Sequence, residues 1–238
     1  MKKSPYKRVL LKVSGEALLG DREYGISHEA TVSLAKEIKE VSKLGVEIAL
    51  VLGAGNIFRG LSASRKGFDR VTADYIGMLA IVMNGLAFQA ALDEIGVESR
   101  VMSALEIKKV CEPFIRRRAM KHMRKGRIVI LVAGTGLPFV TSDSGAAIKA
   151  LELKANILMK GTKVDGVYDK DPVKFSDAKK FEELSYREAI VSDDIRVMDK
   201  SAVSMCEDNK MPILVFNLFK EGNLEKALSG EKIGTLVH

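Results

Sequence analysis

The 238 residues are 47% hydrophobic and 29% charged, enough apolar material for a sizeable core in one large domain or two small ones. That balance excludes a disordered chain; two cysteines, Cys111 and Cys206, with no CxxC pair exclude a disulfide scaffold and fit a reducing compartment. The net charge of +7 suits an anionic partner: nucleic acid, a charged surface or small anionic substrates.

The first twenty residues begin like a signal peptide, but Lys12 interrupts the apolar run and no small-residue cleavage site follows. No apolar run approaches the roughly 20 residues that span a bilayer. A cytoplasmic protein without membrane contact is therefore expected. Residues 7–13 predict a strand, and Ser14-Gly15-Glu16 a turn after it. Residues 27–44 carry helical apolar spacing, with Ser27 as N-cap and Gly45 just past the end. A second strand covers 46–52 and ends in Gly53-Ala54-Gly55-Asn56. A long helix covers 70–95, where Gly77 and Gly85 allow close packing. A short strand at 97–101 leads to a basic helix holding Arg116, Arg117, Arg118, Lys121, Arg124, Lys125 and Arg127. That helix reads as a solvated face. No aromatics interleave with its charges, as a nucleic-acid stacking platform requires. A buried strand from Ile128 to Ala133 ends in Gly134-Thr135-Gly136, and Thr141-Ser142-Asp143-Ser144 opens the next helix. Beyond it lie a strand at 155–160, a Lys/Asp-rich loop at 161–180, helices at 185–192 and 199–209, and strands at 212–218 and 233–237.

Strands alternating with helices predict an α/β fold with a mostly parallel sheet covered on both faces. A weak boundary near 155–165 divides one domain into two lobes. In such sheets ligands sit beyond the carboxyl ends of the strands. Four strand ends there carry the chemistry: Lys12 to Gly15; Gly53 to Asn56 with Arg59; Gly134 to Ser144; and Lys160 to Tyr168 with Asp169 and Asp171. The third is an anion site in outline, since glycines, unpaired amides and the positive end of a helix dipole face one spot, with three hydroxyls adding donors. The alternative is an ordinary N-capped helix after a turn. Lys12, in an otherwise apolar strand, sits at the sheet end or is paired.

No G-x-x-x-x-G-K-[ST] occurs, which excludes a P-loop enzyme. GAGNIF at 53–58 and GTGLPF at 134–139 approach the dinucleotide fingerprint, but both place Phe at the third glycine, and Asp74 lies inside a helical pattern rather than at a strand end. A dinucleotide-dependent oxidoreductase is disfavoured. His28, His122 and His238 are scattered without metal-ligand spacing, so no protein metal site is expected. Several anion-friendly turns along one edge suggest two phosphate-bearing ligands facing each other. Phosphoryl transfer to an ionised phosphate needs alignment and positive charge but no general base, which agrees with the lack of a Ser-His or Cys-His constellation.

KVSGEAL (12–18), GAGNIFRG (53–60), GMLAIVMNGLA (77–87), GTGLPFVTSDS (134–144), KGTKVDGVYDKDP (160–172) and VMD (197–199) together resemble the bacterial uridylate (UMP) kinases of the amino-acid-kinase superfamily. The motifs run in order from about Tyr6 to the C-terminus. The resemblance implies a three-layer αβα sandwich, a homohexamer, and conversion of ATP and UMP to ADP and UDP with Mg²⁺ in pyrimidine nucleotide synthesis. It implies that an N-terminal lobe, about 1–155, binds UMP and a C-terminal lobe, about 156–238, binds ATP. By the same resemblance Lys12, Val13, Ser14, Gly15, Gly55 and Arg59 hold ATP phosphates, and Thr162, Tyr168 and Asp171 hold its nucleoside. Ala54, Asp74 and the loop Thr135, Gly136, Leu137, Pro138, Phe139, Val140, Thr141 and Ser142 hold UMP. Lys12 and Lys160 neutralise the transferring group while Asp143 orients them. Members of the family are commonly activated by GTP and inhibited by UTP. Gly20, Asp21, Arg22, Glu23, Tyr24, Gly25, Arg100 and Arg127 fall at the GTP-linked positions. The chain departs from the pattern at Ala54 (usually glycine), Ser142 (threonine) and Gln89 (often arginine). An extra methyl at Ala54 crowds a bound phosphate unless φ there is negative.

Overall fold

Apolar residues fill both faces of nearly every strand, so each strand must be covered on two sides. The computed structural model describes residues 4–59, 67–193 and 195–238. Its elements are β1 (Arg8–Val13), a 3₁₀ turn (Gly15–Leu18), α1 (His28–Ser42), β2 (Glu47–Leu52), α2 (Arg70–Glu94), β3 (Ser99–Ser103), β4 (Glu112–Pro113) and α3 (Arg116–Arg124). They continue with β5 (Ile128–Val132), α4 (Ser142–Glu152), β6 (Ile157–Thr162), β7 (Glu183–Leu184), α5 (Tyr186–Val191), α6 (Lys200–Asp208), β8 (Ile213–Asn217), α7 (Asn223–Leu228) and β9 (Thr235–Val237).

The described strands form one sheet in the order β4-β3-β5-β2-β1-β6-β8-β9-β7. Every pairing is parallel except that of β8 with β9. Side chains alternate between two cores, as the two-residue period of a strand demands. Val9, Leu11 and Val13 face one layer with α1, α2 and α7; Leu10 faces the other, with α3, α4 and α6. The expected three-layer αβα sandwich is the fold found.

Most expected elements appear within a residue or two, and the displaced ones have local causes. The strand expected at 97–101 begins at Ser99, because the Val97 amide closes the end of α2 on Leu92 O (2.9 Å) after left-handed Gly96. The strand expected at 155–160 runs from Ile157 to Thr162, because Ala155 N still bonds Ala150 O at the end of α4. Gly85 packs as expected: a Cβ there would lie 2.3 Å from Val132 Cγ1. Gly77 does not, since a Cβ there meets nothing within 4 Å. The turn after β1 is a 3₁₀ turn capped by Ser14, whose side chain accepts from Glu16 N. β4, β7 and α7 have no forecast, being two to six residues long. α2 does have the length and mean hydropathy (1.6) of a bilayer span, which no uninterrupted apolar run reveals; half of that window is buried in the fold.

Candidate active site

β1 and β6 lie side by side in the middle of the sheet with Lys12 opposite Lys160. Aligned residues on neighbouring strands point to the same face, so two ammonium groups come together at the carboxyl ends. Asp143, in the first turn of α4, reaches between them: Lys12 Nζ lies 2.5 Å from its Oδ1 and Lys160 Nζ 2.9 Å from its Oδ2. Lys160 also donates to Val197 O at 2.7 Å. All three side chains are largely buried. Burial alone raises the Asp143 carboxyl, but the two lysines outweigh it and hold it below the usual carboxylate range. Burial pulls Lys160 below an ordinary lysine; Asp143 opposes this and Lys12 adds to it. The trio carries two positive charges against one negative, an imbalance that favours an incoming anion.

The start of α4 is less open than its sequence suggests. Thr141 caps the helix, accepting from Ser144 N at 3.1 Å. Both Thr141 Oγ1 and Ser144 Oγ donate to Asp199, the latter at 2.9 Å. Two of the three hydroxyls expected to serve an anion are thus committed to the cap of α6, leaving Ser142. Asp199 and the Val197 carbonyl together pin the Asp143 turn and Lys160. Sequence reasoning gave neither a role, although VMD was part of the resemblance and Asp199 stood at the start of an expected helix.

The glycine turns meet beside Lys12. A Cβ on Gly15 would fall 2.3 Å from Asn56 Oδ1 and 2.6 Å from Gly53 O, so only glycine allows the two turns to touch. Gly53 N continues the ladder to Val13 O at 2.9 Å. Ala54 is not among the described residues with positive φ, so its methyl is accommodated without strain. Arg59 lies over Gly55, its Nε 3.4 Å from where a Cβ would be, and pairs with Glu16. Glu16 also takes Lys163 Nζ at 2.8 Å; this hydrogen bond, with the Arg59 charge, lowers its carboxyl pKa against a smaller effect of burial. Gly60 of the FRG motif lies outside the described residues.

On the other flank Ala133, Gly134, Gly136 and Phe139 all take positive φ, folding residues 133–141 into a tight loop at the carboxyl end of β5, buried at Ala133 and exposed at Leu137 and from Phe139 to Thr141. Asp74 in the first turns of α2 holds this loop: its Oδ2 accepts from Phe139 N at 2.8 Å and from Arg70 Nε at 2.9 Å. The expected ribose ligand is thus joined directly to the loop expected to hold UMP. On the β6 side, Tyr168 and Asp171 line a cavity of about 390 Å³ with Gly166, Phe175 and Arg196. Thr162 is not in that lining; its hydroxyl donates to Val164 O at 2.8 Å.

The positions expected to bind GTP do not gather within one chain. Residues 20–25 follow the 3₁₀ turn at the carboxyl-end rim, where Gly25 N bonds Asn56 O at 2.8 Å. Arg100 and Arg127 stand where β3 and β5 begin, at the opposite edge. Arg127 Nε pairs with Glu98 at 2.6 Å, and Arg100 Nε lies 3.6 Å from Glu112. Gln89 donates to Ser99 O at 3.3 Å. The charges of α3 are solvated as read: Arg116, Arg117, Arg118, Lys121 and Arg124 are exposed.

The sequence profile of the amino acid kinase family matches residues 7–217. The chain belongs to the amino acid kinase family. Among solved structures, this family member is similar to a UMP kinase from Bacillus anthracis, at 38% identity and TM-score 0.93 over 98% of this chain and 96% of that one. It is similar to a UMP kinase from Ureaplasma parvum at 36% identity and TM-score 0.90, covering 100% of this chain and 99% of the other. A uridylate kinase from Archaeoglobus fulgidus matches at 26% identity and TM-score 0.73 over the whole of both chains.

Proposed function

We propose that this chain is a UMP kinase that transfers the γ-phosphoryl group of ATP to the phosphate of UMP, giving ADP and UDP for pyrimidine nucleotide synthesis. The observation that carries the reading is the Lys12–Asp143–Lys160 trio at a rim of glycine turns. ATP lies over Val13 to Gly15, Gly55 and Arg59, with its nucleoside toward Thr162, Tyr168 and Asp171. UMP lies against Ala54, Asp74 and residues 135–142. The lobe before about residue 155 takes UMP and the lobe after it takes ATP. An oxygen of the UMP phosphate attacks the γ-phosphorus in line, and the bond to the β,γ-bridging oxygen breaks, leaving its electron pair on ADP. The acceptor is already ionised, so no base is needed. Lys12 and Lys160 neutralise the charge spread over the transferring group, and Asp143 holds both in place.

The reading takes the metal as one brought in by the nucleotide. Among the described residues no three His, Cys, Asp or Glu side chains gather into a cage, and Mg²⁺ is commonly held largely by substrate phosphates and water. Mg²⁺ carried in on ATP would supply further neutralisation of phosphate charge beside Lys12 and Lys160. Assembly into a homohexamer is part of the reading, and an exposed apolar row on α2, Val71, Tyr75, Leu79 and Met83, offers a surface for self-association. The free, buried Cys111 and Cys206 fit a cytoplasmic setting. Activation by GTP and inhibition by UTP complete the proposal; since residues 20–25 and the two arginines lie at opposite edges, a GTP site combining them draws on neighbouring subunits. A coupled ADP-release assay across UMP, CMP and glutamate tests the function. UMP should be strongly preferred, and equal or better turnover of CMP or glutamate would overturn it.

A further inference from the structure

Two buried asparagines form a closed pair behind the glycine turns. Asn56 is 2% exposed and Asn84, on α2, is fully buried. Asn56 Nδ2 donates to Asn84 Oδ1 at 2.9 Å, and Asn84 Nδ2 returns a bond to Asn56 Oδ1 at 2.7 Å. Each amide uses its second proton on a turn: Asn84 Nδ2 donates to Gly53 O at 2.7 Å, and Asn56 Nδ2 to Gly25 O at 2.9 Å. All four amide protons are used, and Asn56 Oδ1 presses on Gly15 as well. Ile81 and Phe88, one turn to either side on the same helix, belong to the hydrophobic core, so the position suits an apolar residue by surroundings and a polar one only by its hydrogen bonds. Polar groups buried this way specify geometry more than they add stability.

The geometry they specify follows from peptide planarity. A trans peptide points its C=O and N–H in opposite directions. Asn84 draws Gly53 O inward, so the N–H of the same peptide, on Ala54, points outward to the rim. Among the described residues the Ala54 amide donates to no backbone carbonyl. We propose that Asn84 is a positioning residue: through Gly53 O and Asn56 it aims the Ala54 amide at the phosphate of the bound nucleotide, without touching the ligand. The inference rests on the reading of Gly53–Gly55 as a phosphate turn.

The test compares Asn84→Leu with Phe88→Leu, a core substitution one turn along the same helix. Dissociation constants for UMP and uridine are measured on both variants and the parent protein. Asn84→Leu should weaken UMP at least about tenfold, the scale of a lost or misdirected hydrogen bond to a charged group, and uridine less than about threefold. Phe88→Leu should change both by less than about threefold even where its melting temperature falls as far. A merely structural Asn84 would weaken UMP and uridine alike, or neither, and either result overturns the proposal. If Asn84→Leu does not fold, the smaller, uncharged Asn84→Ala carries the same thresholds. If the parent protein fails to phosphorylate UMP, the proposed function falls separately; the clasp is then read by amide hydrogen exchange. Faster exchange confined to Gly25 and Gly53 in the variant supports it, and unchanged exchange there, or faster exchange throughout the sheet, overturns it.

Discussion

The two ends of β1 each bury a cation against helix α4, and they close their charge differently. Arg8 and Lys12 stand four residues apart, on the same face of the strand. At the amino end Arg8 meets Glu47 through Nε at 2.7 Å and Nη2 at 2.5 Å, and its Nη1 donates to Leu153 O at 2.6 Å, where α4 ends. One positive charge faces one negative charge, and the spare protons find carbonyls. At the carboxyl end, where α4 begins, Lys12 and Lys160 share the single carboxylate of Asp143. The first cluster is complete as it stands. The second sets two lysines against Asp143, with Asp199 acting on Lys160 from farther off, and among the described residues it leaves Lys12 only that shared carboxylate, an arrangement that suits an incoming anion. Charge closure separates the fastening from the site, though both are buried and both hold one helix.

The sharpest way to break this contrast is to remove each cation in turn. Arg8→Met leaves Glu47 without its partner and should cost about 3 to 5 kcal/mol in urea denaturation. KM values of the folded variant should stay within about twofold of the parent, since nothing at the rim has moved. Lys12→Ala should do the reverse. It should lower kcat at least about a hundredfold by removing transition-state charge, while stability changes little, because a neutral Lys160–Asp143 pair remains. A change in kcat below about threefold would refute the role of Lys12.

A pH profile sharpens the comparison next. Burial and the neighbouring Lys12 favour the neutral form of Lys160, so its proton leaves at a lower pH than that of an ordinary lysine. Activity that needs the charge should fall on the alkaline side below the ordinary lysine range. Lys160→Arg, which keeps its charge, should move that limb upward even if the rate drops. Asp143 gives the opposite sign: with its folded pKa depressed, the stability it contributes is present above the usual carboxylate range and is lost as pH falls through the lowered value. The smallest effect is expected at Ala54. Its φ already suits an L side chain, so Ala54→Gly should change the KM for UMP by less than about twofold.

The fold was legible because its signals are periodic. Apolar runs such as Ile128–Val132 and the helical spacing of residues 28–42 carry their structure locally, and Ser27 and Thr141 cap where short polar residues favour capping. Lys12 stood out as a charge in an apolar strand, and the structure supplies the partner that such a position demands. What sequence could not show was who pairs with whom. Asp199 stood only as the first residue of an expected helix, yet it accepts from two hydroxyls at the start of a helix more than fifty residues earlier. Asn84 carried a weak signal, a polar residue at a core position of α2, but its partner Asn56 is reached only through the sheet topology. Arg8 lay inside the expected first strand with no role of its own until the fold enclosed it.

The central claim is that two nucleotides meet at the Lys12–Asp143–Lys160 rim with their phosphates facing. The most direct measurement titrates the protein with a bisubstrate nucleotide, adenosine and uridine joined by five phosphates, against bound ATP and bound UMP. One molecule per chain should displace both ligands together, and Lys12→Ala should weaken it. Displacement of ATP with UMP left in place, or equal binding to the parent and Lys12→Ala, would contradict the account.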